Sequence, residues 1–348
     1  MRILLPAHQA RSGGLGTSLR GLCASLPEAL GPEDELVVLG AGAAMRRGPG
    51  PGGKLGRVLR EQVVVARAAR GVDLVHLPDH RPVLGSRTPF LLTVYDLFFL
   101  DHPEWFPAPV ARYKQAMFRA ALAKRPAAVA CGSAYARSRL LERAPGLPEE
   151  RVHAIAPGLP PIGAAPPGRD GLPDPYFLTV SNIEPRKNHL GLLRAFRRAR
   201  RRGLTLRWVV LGAPGYAARP VIRELEAEEG VDVVGWAEPD QLERLYRGAV
   251  FGATPSFAEG FGFPPLEAMA RGVPVLCSTG SALDETVGGA ALQVPAKDEE
   301  AWAEALLRLA ADESERARLR KLGLARAARF DWARTATEYV RCYREALA

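Results

Sequence analysis

The stretch Pro255–Pro274, PSFAEGFGFPPLEAMARGVP, places a glycine-rich loop between an apolar strand and a helix. Pro264 and Pro265 cannot lie inside a helix but suit its first turn, so we expect the helix to begin there. Apolar residues then recur at helical spacing until Gly272, which suits the position just after a helix end. A strand, a loop and a helix in this order are typical of one unit of a parallel α/β sheet.

Two carboxylates frame this loop. Glu259 lies on the loop and Glu267 in the predicted first helical turn, with Gly260 and Gly262 between them. Exposed N–H groups at a helix N-terminus attract anions, and ionised carboxylates accept hydrogen bonds from sugar hydroxyls. The stretch therefore predicts a phosphate flanked by hydroxyl-rich rings, as in a nucleotide sugar. The alternatives are a glycosidase carboxylate pair, which no second feature supports, and a purely structural loop.

A second candidate segment is Ser181–Asn188, SNIEPRKN, which follows the predicted strand Tyr176–Val180. Arg186 and Lys187 are adjacent cations before a predicted helix, with Asn188 available as its N-cap. The helix dipole disfavours cations at this end unless an anion lies opposite. The pair therefore favours a diphosphate ligand over an exposed basic pair.

Apolar strands and amphipathic helices alternate along the chain, which predicts parallel sheets covered by helices on both faces. The proline- and glycine-rich stretch Pro157–Pro175 interrupts this alternation and predicts a domain boundary. We therefore predict an α/β protein with two Rossmann-like, doubly wound domains, residues 1–165 and 172–330, and a ligand cleft between the carboxyl edges of their strands. The final helix, within residues 331–348, is expected to pack back onto the first domain.

The individual elements follow from the same periodicities. Strands are predicted at residues 2–6, 35–39, 73–77, 90–94, 127–131, 152–155, 176–180, 206–211, 231–234, 250–253 and 275–277. Helices are predicted at residues 17–30, 55–69, 109–124, 133–143, 188–202, 220–229, 239–247, 265–271, 298–311, 314–328 and 330–347. Glycine-rich loops are expected at residues 12–16 and 40–53.

The composition is that of a soluble protein, with 47% hydrophobic and 24% charged residues among 348. No apolar run reaches the ~18 residues of a membrane span, and the N-terminus does not resemble a signal peptide, so a cytoplasmic location is expected. The four cysteines form no Cys-x-x-Cys pair and the six histidines lack metal-ligand spacing. Reduced thiols and no bound metal are therefore predicted.

The net charge of +9 is densest at Arg194–Arg202, RAFRRARRR, at the end of a predicted helix. Nucleic-acid binding is not favoured, because few aromatic residues and no recognition motif accompany the basic run. A solvated helical face is the preferred interpretation. The charge also permits peripheral contact with anionic lipids on the inner face of the cytoplasmic membrane.

The chain resembles the retaining family 4 glycosyltransferases of the GT-B fold. The resemblance is carried by EGFGFPPLEAMARGVPV from Glu259, by PRKN at Pro185–Asn188 and by GGLG at Gly13–Gly16. It extends to VVGWAEPDQLERLYRGA at residues 233–249 and SALDETVGGAALQV at residues 281–294. It implies transfer of a sugar from a nucleotide donor with retention, without a cofactor or an essential metal.

The resemblance also implies roles for individual residues. Arg186 and Lys187 would hold the diphosphate and stabilise the leaving group. Glu267 would accept the ribose hydroxyls, and Glu259 would contact hydroxyls of the donor sugar.

Further donor contacts follow from the same resemblance. The donor-binding residues would include Gly14 and Gly16, through close approach of their loop to the diphosphate, and Gly260, Phe261 and Gly262 beside the sugar and phosphate. Gly235 and Trp236 would lie near the nucleobase.

The segment LTVYD departs from the family pattern, because many members carry a histidine where this chain has Tyr95. Tyrosine can hydrogen-bond a hydroxyl but cannot act as an imidazole. Tyr95 and Asp96 are still expected to face the cleft, where they would contact the sugar or the acceptor.

The following segment, LFFLDHPEWF at residues 97–106, resembles members that transfer mannose or similar sugars during polysaccharide assembly. We therefore favour GDP-mannose over a UDP-hexose as donor, and a hydroxyl of a glycan, a lipid-linked molecule or a small molecule as acceptor. The alternatives are a sugar-nucleotide epimerase and a non-catalytic nucleotide-sugar-binding protein of the same fold. A dinucleotide-dependent oxidoreductase is excluded, because HQARSGGLG lacks the Gly-x-Gly-x-x-Gly spacing after the first strand.

Overall fold

The computed structural model describes residues 1–7, 13–40, 62–163 and 175–348, and the chain divides into two compact units. The first unit contains Met1–Pro160 and Phe330–Ala348, and the second contains Pro161–Arg329. The division between Pro160 and Pro161 falls inside the stretch in which a domain boundary is predicted.

Six parallel strands form the sheet of the first unit in the order β2-β1-β3-β4-β5-β6. These strands are β1 Arg2–Pro6, β2 Glu35–Leu39, β3 Leu74–Leu77, β4 Phe90–Val94, β5 Ala128–Cys131 and β6 Val152–Ala154. The helices are α1 Gly13–Ala29, α2 residues 62–68, α3 Phe98–Asp101, α4 Ala108–Ala123, α5 Ala134–Arg143 and, after the second unit, α13 Trp332–Leu347. Short 3₁₀ turns cover Ala69–Gly71, Pro103–Trp105 and Glu149–Arg151. The strand order changes direction between β1 and β3.

The second unit repeats this design with the order β12-β11-β10-β7-β8-β9, again all parallel. Its strands are β7 Tyr176–Val180, β8 Arg207–Leu211, β9 Val231–Val234, β10 Gly252–Thr254, β11 Val275–Ser278 and β12 Leu292–Val294. Its helices are α6 His189–Arg201, α7 Ala218–Glu226, α8 Pro239–Gly248, α9 Phe263–Ala270, α10 Ala282–Val287, α11 Glu299–Ala311 and α12 Glu313–Ala327, with a 3₁₀ turn at Pro185–Lys187. Counted from β7, this is the 3-2-1-4-5-6 order of a Rossmann sheet, whose direction changes between β7 and β10.

Aromatic rings fill the core of the second unit on one face of its sheet. The ring of Phe177 stacks on Phe251 at 5.2 Å and on Trp208 at 5.9 Å between centroids. All three side chains are fully buried, which explains why these strands read as continuous apolar runs.

The last helix, α13, completes the first unit, as the sequence predicts. The ring of Trp332 fills the space beside Gly21 of α1 so closely that a Cβ there would lie 2.0 Å from the indole. The ring of His76 on β3 makes two hydrogen bonds. Its Nδ1 lies 2.7 Å from the Tyr343 hydroxyl, and its Nε2 lies 2.8 Å from Thr93 Oγ1. Packing and buried hydrogen bonds thus join α13 to both α1 and the sheet.

Two predictions of local structure need correction. Helix α1 begins at Gly13, so Gly14 and Gly16 lie in its first turn rather than on a loop. Helix α9 begins at Phe263, so Glu267 lies in the second turn rather than the first. Prolines at the second and third helical positions need no N–H partner, which lets the helix start two residues earlier.

The remaining differences concern short or undescribed segments. Helices α3 and α10 and strand β12 were not predicted, because four, six and three residues are too few to show a period. The predicted loop at residues 40–53 and the start of the predicted helix at residue 55 lie almost wholly outside the described residues, as does much of the predicted linker.

The basic run on α6 is paired with acidic side chains of the same unit. The ion pairs are Arg194–Glu299, Arg197–Glu228, Arg198–Glu299, Arg198–Glu300 and Arg202–Glu300. This pairing agrees with a solvated, charge-balanced helical face, and lipid contact through the run stays a prediction. In the described ranges, none of the helices has the length and apolar character to cross a membrane.

Candidate active site

The two candidate segments of the second unit meet at the point where its sheet changes direction. Strands β7 and β10 are neighbours, and Ser181–Asn188 and Pro255–Gly262 follow their carboxyl ends. In open α/β sheets, ligands bind in the crevice at this place. The adjacency could not be read from the sequence alone, because two other strands, β8 and β9, lie between β7 and β10 along the chain.

Glu259 is the centre of the arrangement. Its Oε1 accepts from Lys187 Nζ at 2.6 Å and from the Ser256 hydroxyl at 2.6 Å, while its Oε2 accepts from Arg186 Nη1 at 2.8 Å. Arg186 also donates to Glu184 at 2.9 Å. Glu259 and Lys187 are only 6% and 8% exposed, so the contacts form in a largely dry environment.

Hydrogen bonds to backbone carbonyls fix the two loops against each other. Arg186 donates through Nη1 to the Ala258 carbonyl at 2.7 Å, and its own carbonyl accepts from Phe257 N at 2.9 Å. Asn188 adopts a left-handed conformation with φ 54° and donates to the carbonyls of Pro255 and Ala296. The capping role predicted for Asn188 is therefore wrong: its side chain joins the loops instead of capping α6.

The electrostatics of this cluster favour full ionisation of Glu259. Burial alone would raise its pKa, but the Lys187 and Arg186 cations outweigh burial and hold the pKa at about 2. Burial lowers the pKa of Lys187, an effect that the Glu259 carboxylate opposes. The anion that the sequence argument required opposite the two cations is therefore present in the chain itself.

The glycine loop leads into α9 through a residue in a left-handed conformation, which glycine adopts readily. Gly262 has φ 107°, and a Cβ at this position would lie 2.9 Å from Leu283 Cδ2. Since Pro264 and Pro265 have no N–H, the amides of Gly262 and Phe263 are the donors that this helix end can offer. A phosphate-sized anion suits this end of the helix.

Glu267 is half-buried on α9, and its surroundings were not foreseen from the sequence. Tyr246 donates its hydroxyl to Glu267 Oε2 at 3.0 Å, and Arg271 donates to the Glu267 carbonyl at 2.8 Å. Burial raises the pKa of Glu267. Tyr246 lies in the segment 233–249 that supports the family resemblance, but no spacing rule marks it as a partner of Glu267.

Gly235 and Trp236 follow β9, the edge strand of the same sheet. Trp236 is 69% exposed, and the space around Gly235 is open. β9 lies two strands from β7, which corresponds to about 10 Å at normal strand spacing. The two residues therefore lie along the same sheet edge as the Glu259 cluster but apart from it, and their contact with a base stays a prediction.

The predicted residues of the first unit lie at the carboxyl edge of its own sheet. Tyr95 and Asp96 directly follow β4, and burial raises the pKa of Tyr95 to about 12, so its hydroxyl keeps its proton. Gly14 is exposed and Gly16 is buried in the first turn of α1. Their predicted contacts with a donor concern both units and stay predictions.

Sequence reasoning did not select His80, which follows β3 at the same edge. Its ring lies 4.9 Å from that of Phe99, and burial lowers its pKa to about 4. The described residues contain no group of three or more His, Cys, Asp or Glu side chains that could hold a metal ion.

Solved structures define the class of fold to which this chain belongs, which is the GT-B fold of glycosyltransferases. Sucrose-phosphate synthase from Thermosynechococcus elongatus aligns with a TM-score of 0.76 at 20% identity, over 99% of this chain and 98% of that one. HepE from Anabaena, in complex with UDP and glucose, aligns with a TM-score of 0.73 at 16% identity, over 98% of each chain. These likenesses confirm the predicted fold.

Residues 169–325, which make up most of the second unit, match the family model Glycosyl transferases group 1. The O-antigen chain mannosyltransferase B of Escherichia coli is 34% identical over 173 residues, covering 49% of this chain and 45% of the relative. The D-inositol 3-phosphate glycosyltransferase of Saccharomonospora viridis is 36% identical over 233 residues, covering 60% and 53%. The chain thus spans about half the length of the curated relatives it matches.

Proposed function

We propose that this protein is a retaining glycosyltransferase that moves a hexose from a nucleotide-sugar donor to a hydroxyl group of an acceptor. The observation that carries the proposal is the meeting of Arg186, Lys187 and Glu259 at the switch point of a Rossmann-order sheet. This cluster lies in the part of the chain that matches the family model of the group 1 glycosyl transferases.

The cations would bind the diphosphate of the donor. The Lys187 ammonium has three hydrogens and gives one to Glu259 Oε1, so two remain for phosphate oxygens. The Arg186 guanidinium adds a fixed positive charge next to it. As the sugar leaves, negative charge grows on the phosphate oxygen, and these cations stabilise it.

The proposed chemistry needs no protein nucleophile. The bond between the anomeric carbon and the phosphate oxygen breaks while the acceptor oxygen bonds to that carbon on the same face. The acceptor proton passes to the departing phosphate oxygen, so the products are the glycoside with retained configuration and the nucleoside diphosphate. Glu259, ionised and held on two sides, would accept hydrogen bonds from hydroxyls of the donor sugar. No metal or cofactor enters this scheme.

GDP-mannose is our preferred donor and a UDP-hexose the alternative. The first choice is supported by the similarity to a mannosyltransferase and by residues 97–106. The second is supported by the structural likeness to HepE, which binds UDP and glucose. We propose a glycan, a lipid-linked molecule or a small molecule as acceptor, a cytoplasmic location, and peripheral membrane contact.

A thermal-shift screen against GDP-mannose, UDP-glucose and other nucleotide sugars tests the proposal. A donor present at about 100 times its Kd stabilises the protein by about 2.7 kcal/mol, which gives a measurable rise in Tm. Transfer is then measured as the release of nucleoside diphosphate that depends on an added acceptor. Nucleotide-sugar binding without release across broad acceptor panels favours a binding protein, and acceptor-independent change of the sugar favours an epimerase.

Lys187→Ala provides the matching test of the cluster. We expect kcat to fall by about 10²–10³ because one stabiliser of the leaving group is lost. Lys321→Ala, at an exposed position on α12, is the control and keeps full activity. Near-normal turnover in folded Lys187→Ala would exclude the proposed role.

A further inference from the structure

A set of buried side chains supports Glu267, the residue that we propose binds the nucleotide-sugar donor. Tyr246 on α8 is 2% exposed and donates its hydroxyl to Glu267 Oε2 at 3.0 Å. Among the described residues, no hydrogen bond is made to the other oxygen, Oε1. One oxygen of the carboxylate is thus held and the other is available to a ligand.

Arg271 holds Tyr246 in turn. Its guanidinium lies over the Tyr246 ring with the central carbon 4.8 Å from the ring centroid. Nη1 of the same guanidinium donates to the Glu267 carbonyl at 2.8 Å. Arg271 therefore contacts both the ring of Tyr246 and the backbone carbonyl of Glu267, whose carboxylate accepts from Tyr246.

A buried acid fixes Arg271. Glu243 accepts from Arg271 Nε at 2.9 Å and from Nη2, and their side chains are only 6% and 4% exposed. Glu243 also accepts from the Gly163 amide at 2.9 Å, at the start of the second unit. A buried ion pair adds little net stability compared with apolar packing, so its value here lies in orientation.

Charge and protonation suit this arrangement. Burial and the neighbouring Glu267 carboxylate raise the pKa of Tyr246 well above its usual value, so the tyrosine remains a donor. The ion pair with Arg271 lowers the pKa of Glu243 against the effect of burial, so the acid stays charged.

We propose that Tyr246, held by Arg271 and Glu243, is a positioning residue that aims Glu267 Oε1 at a ribose hydroxyl of the nucleotide. The proposal rests on the proposed function, in which Glu267 binds the ribose. Its consequence is selectivity: the set favours ribonucleotides over nucleotides that lack the 2′- and 3′-hydroxyls.

Calorimetric binding of GDP and UDP, each compared with its 2′,3′-dideoxy form, tests this role without requiring sugar transfer. Tyr246→Phe keeps the ring under Arg271 and removes only the hydroxyl. We expect Kd for the preferred ribonucleotide to rise roughly tenfold, the loss typical of a hydrogen bond to a charged group. Kd for the dideoxy form should stay within twofold of wild type.

Two further variants separate positioning from folding. In a Glu267→Gln background, Tyr246→Phe should add no further loss in Kd, because the carboxylate it aims is gone. Tyr113→Phe, on an exposed helix position of the first unit, should bind like wild type.

The outcomes are distinct. Equal losses for the ribo and dideoxy forms, or losses that add in the double variant, overturn the positioning role but leave the proposed function standing. A selective loss with no sugar transfer by wild type supports positioning and counts against the transferase. If the wild-type protein binds neither GDP nor UDP, both proposals are overturned.

Discussion

Glu259 lies on a loop after a strand and forms ion pairs with Arg186 and Lys187. Its position on the loop was predictable from the sequence, but its ion pairs were not. The sequence places Glu259, Arg186 and Lys187 on loops after strands, and the structure joins them through hydrogen bonds of 2.6 and 2.8 Å. From their position before a helix, the two cations were expected to have a ligand as their counter-anion. That inference could not include Glu259, because pairing across 73 positions depends on the strand order.

The charge balance of the cluster leads to a prediction for Glu259→Gln. Arg186 and Lys187 face two carboxylates, Glu184 and Glu259, so removing one leaves a net positive site. We expect GDP or UDP to bind roughly tenfold more tightly, since one opposing charge at this distance is worth at least 1–2 kcal/mol. Turnover with the nucleotide sugar should fall, because the sugar hydroxyls lose their ionised acceptor.

Isothermal titration calorimetry and single-turnover assays on the same preparation check that nucleotide affinity rises while the rate of turnover falls. Glu184→Gln is the matched control: it changes the charge equally but leaves the proposed sugar contact intact, so turnover should persist. Weaker nucleotide binding by a folded Glu259→Gln protein would contradict the assignment of the cations.

At the scale of elements, helix α9 shows how local signals define an end more reliably than a beginning. Its C-terminus follows the prediction: Gly272 has φ 69°, and the amides of Gly272 and Val273 bond back to Met269 and Ala268. Its N-terminus was placed two residues late, because prolines are compatible with several early positions. Short elements such as α10 leave no period and could not be predicted.

The turn into α9 gives a second prediction, for Gly262→Ala. The residue has φ 107°, and the new Cβ would meet Leu283 at 2.9 Å, so both backbone strain and a clash are expected. We expect a loss of about 2–4 kcal/mol in unfolding free energy, with weaker nucleotide binding because the amide moves.

Gly280→Ala separates the two causes, since Gly280 has φ 85° and open space at its Cβ position. It should lose only the cost of the positive φ, about 1–2 kcal/mol. Chemical denaturation of both variants measures the difference. Equal losses in the two variants would show that the clash with Leu283 does not contribute to the loss of unfolding free energy.

At the scale of the whole molecule, each of the two units buries a histidine. His76 in the first unit and His189 in the second are 0% and 1% exposed, and burial lowers the pKa of each to about 3. An unfolded chain restores a pKa near 6.5. Between about pH 3 and pH 6.5 the unfolded state binds more protons than the folded state. The unfolding free energy is therefore undiminished above about pH 6.5 and decreases as the pH falls below it.

We therefore expect the unfolding free energy of each unit to decrease below pH 6.5, by up to about 1.4 kcal/mol per pH unit per histidine. Calorimetric scans from pH 7.5 to 5 measure this slope. His189→Gln should flatten the slope of the second unit by about one proton, whereas the slope of the first unit, which keeps His76, should not change. Stability that stays constant down to pH 5 would contradict buried neutral histidines.

The two-unit architecture was predictable because each half repeats the alternation of strand and helix around a proline-rich boundary. The order of strands within each sheet was not, since the sequence does not state which strand a crossover reaches. The positioning of Glu267 by Tyr246 was hidden for the same reason.

The placement of α13 has a consequence for how the protein is made. The first unit needs residues 330–348, which leave the ribosome only after the whole second unit. Until then the face of α1 and the sheet that α13 covers, including Leu22 and the Trp332 site at Gly21, remains exposed. The second unit is one continuous segment and can fold before the first unit is complete. We therefore expect the nascent chain to need a chaperone that covers the exposed apolar face of the first unit until α13 is synthesised.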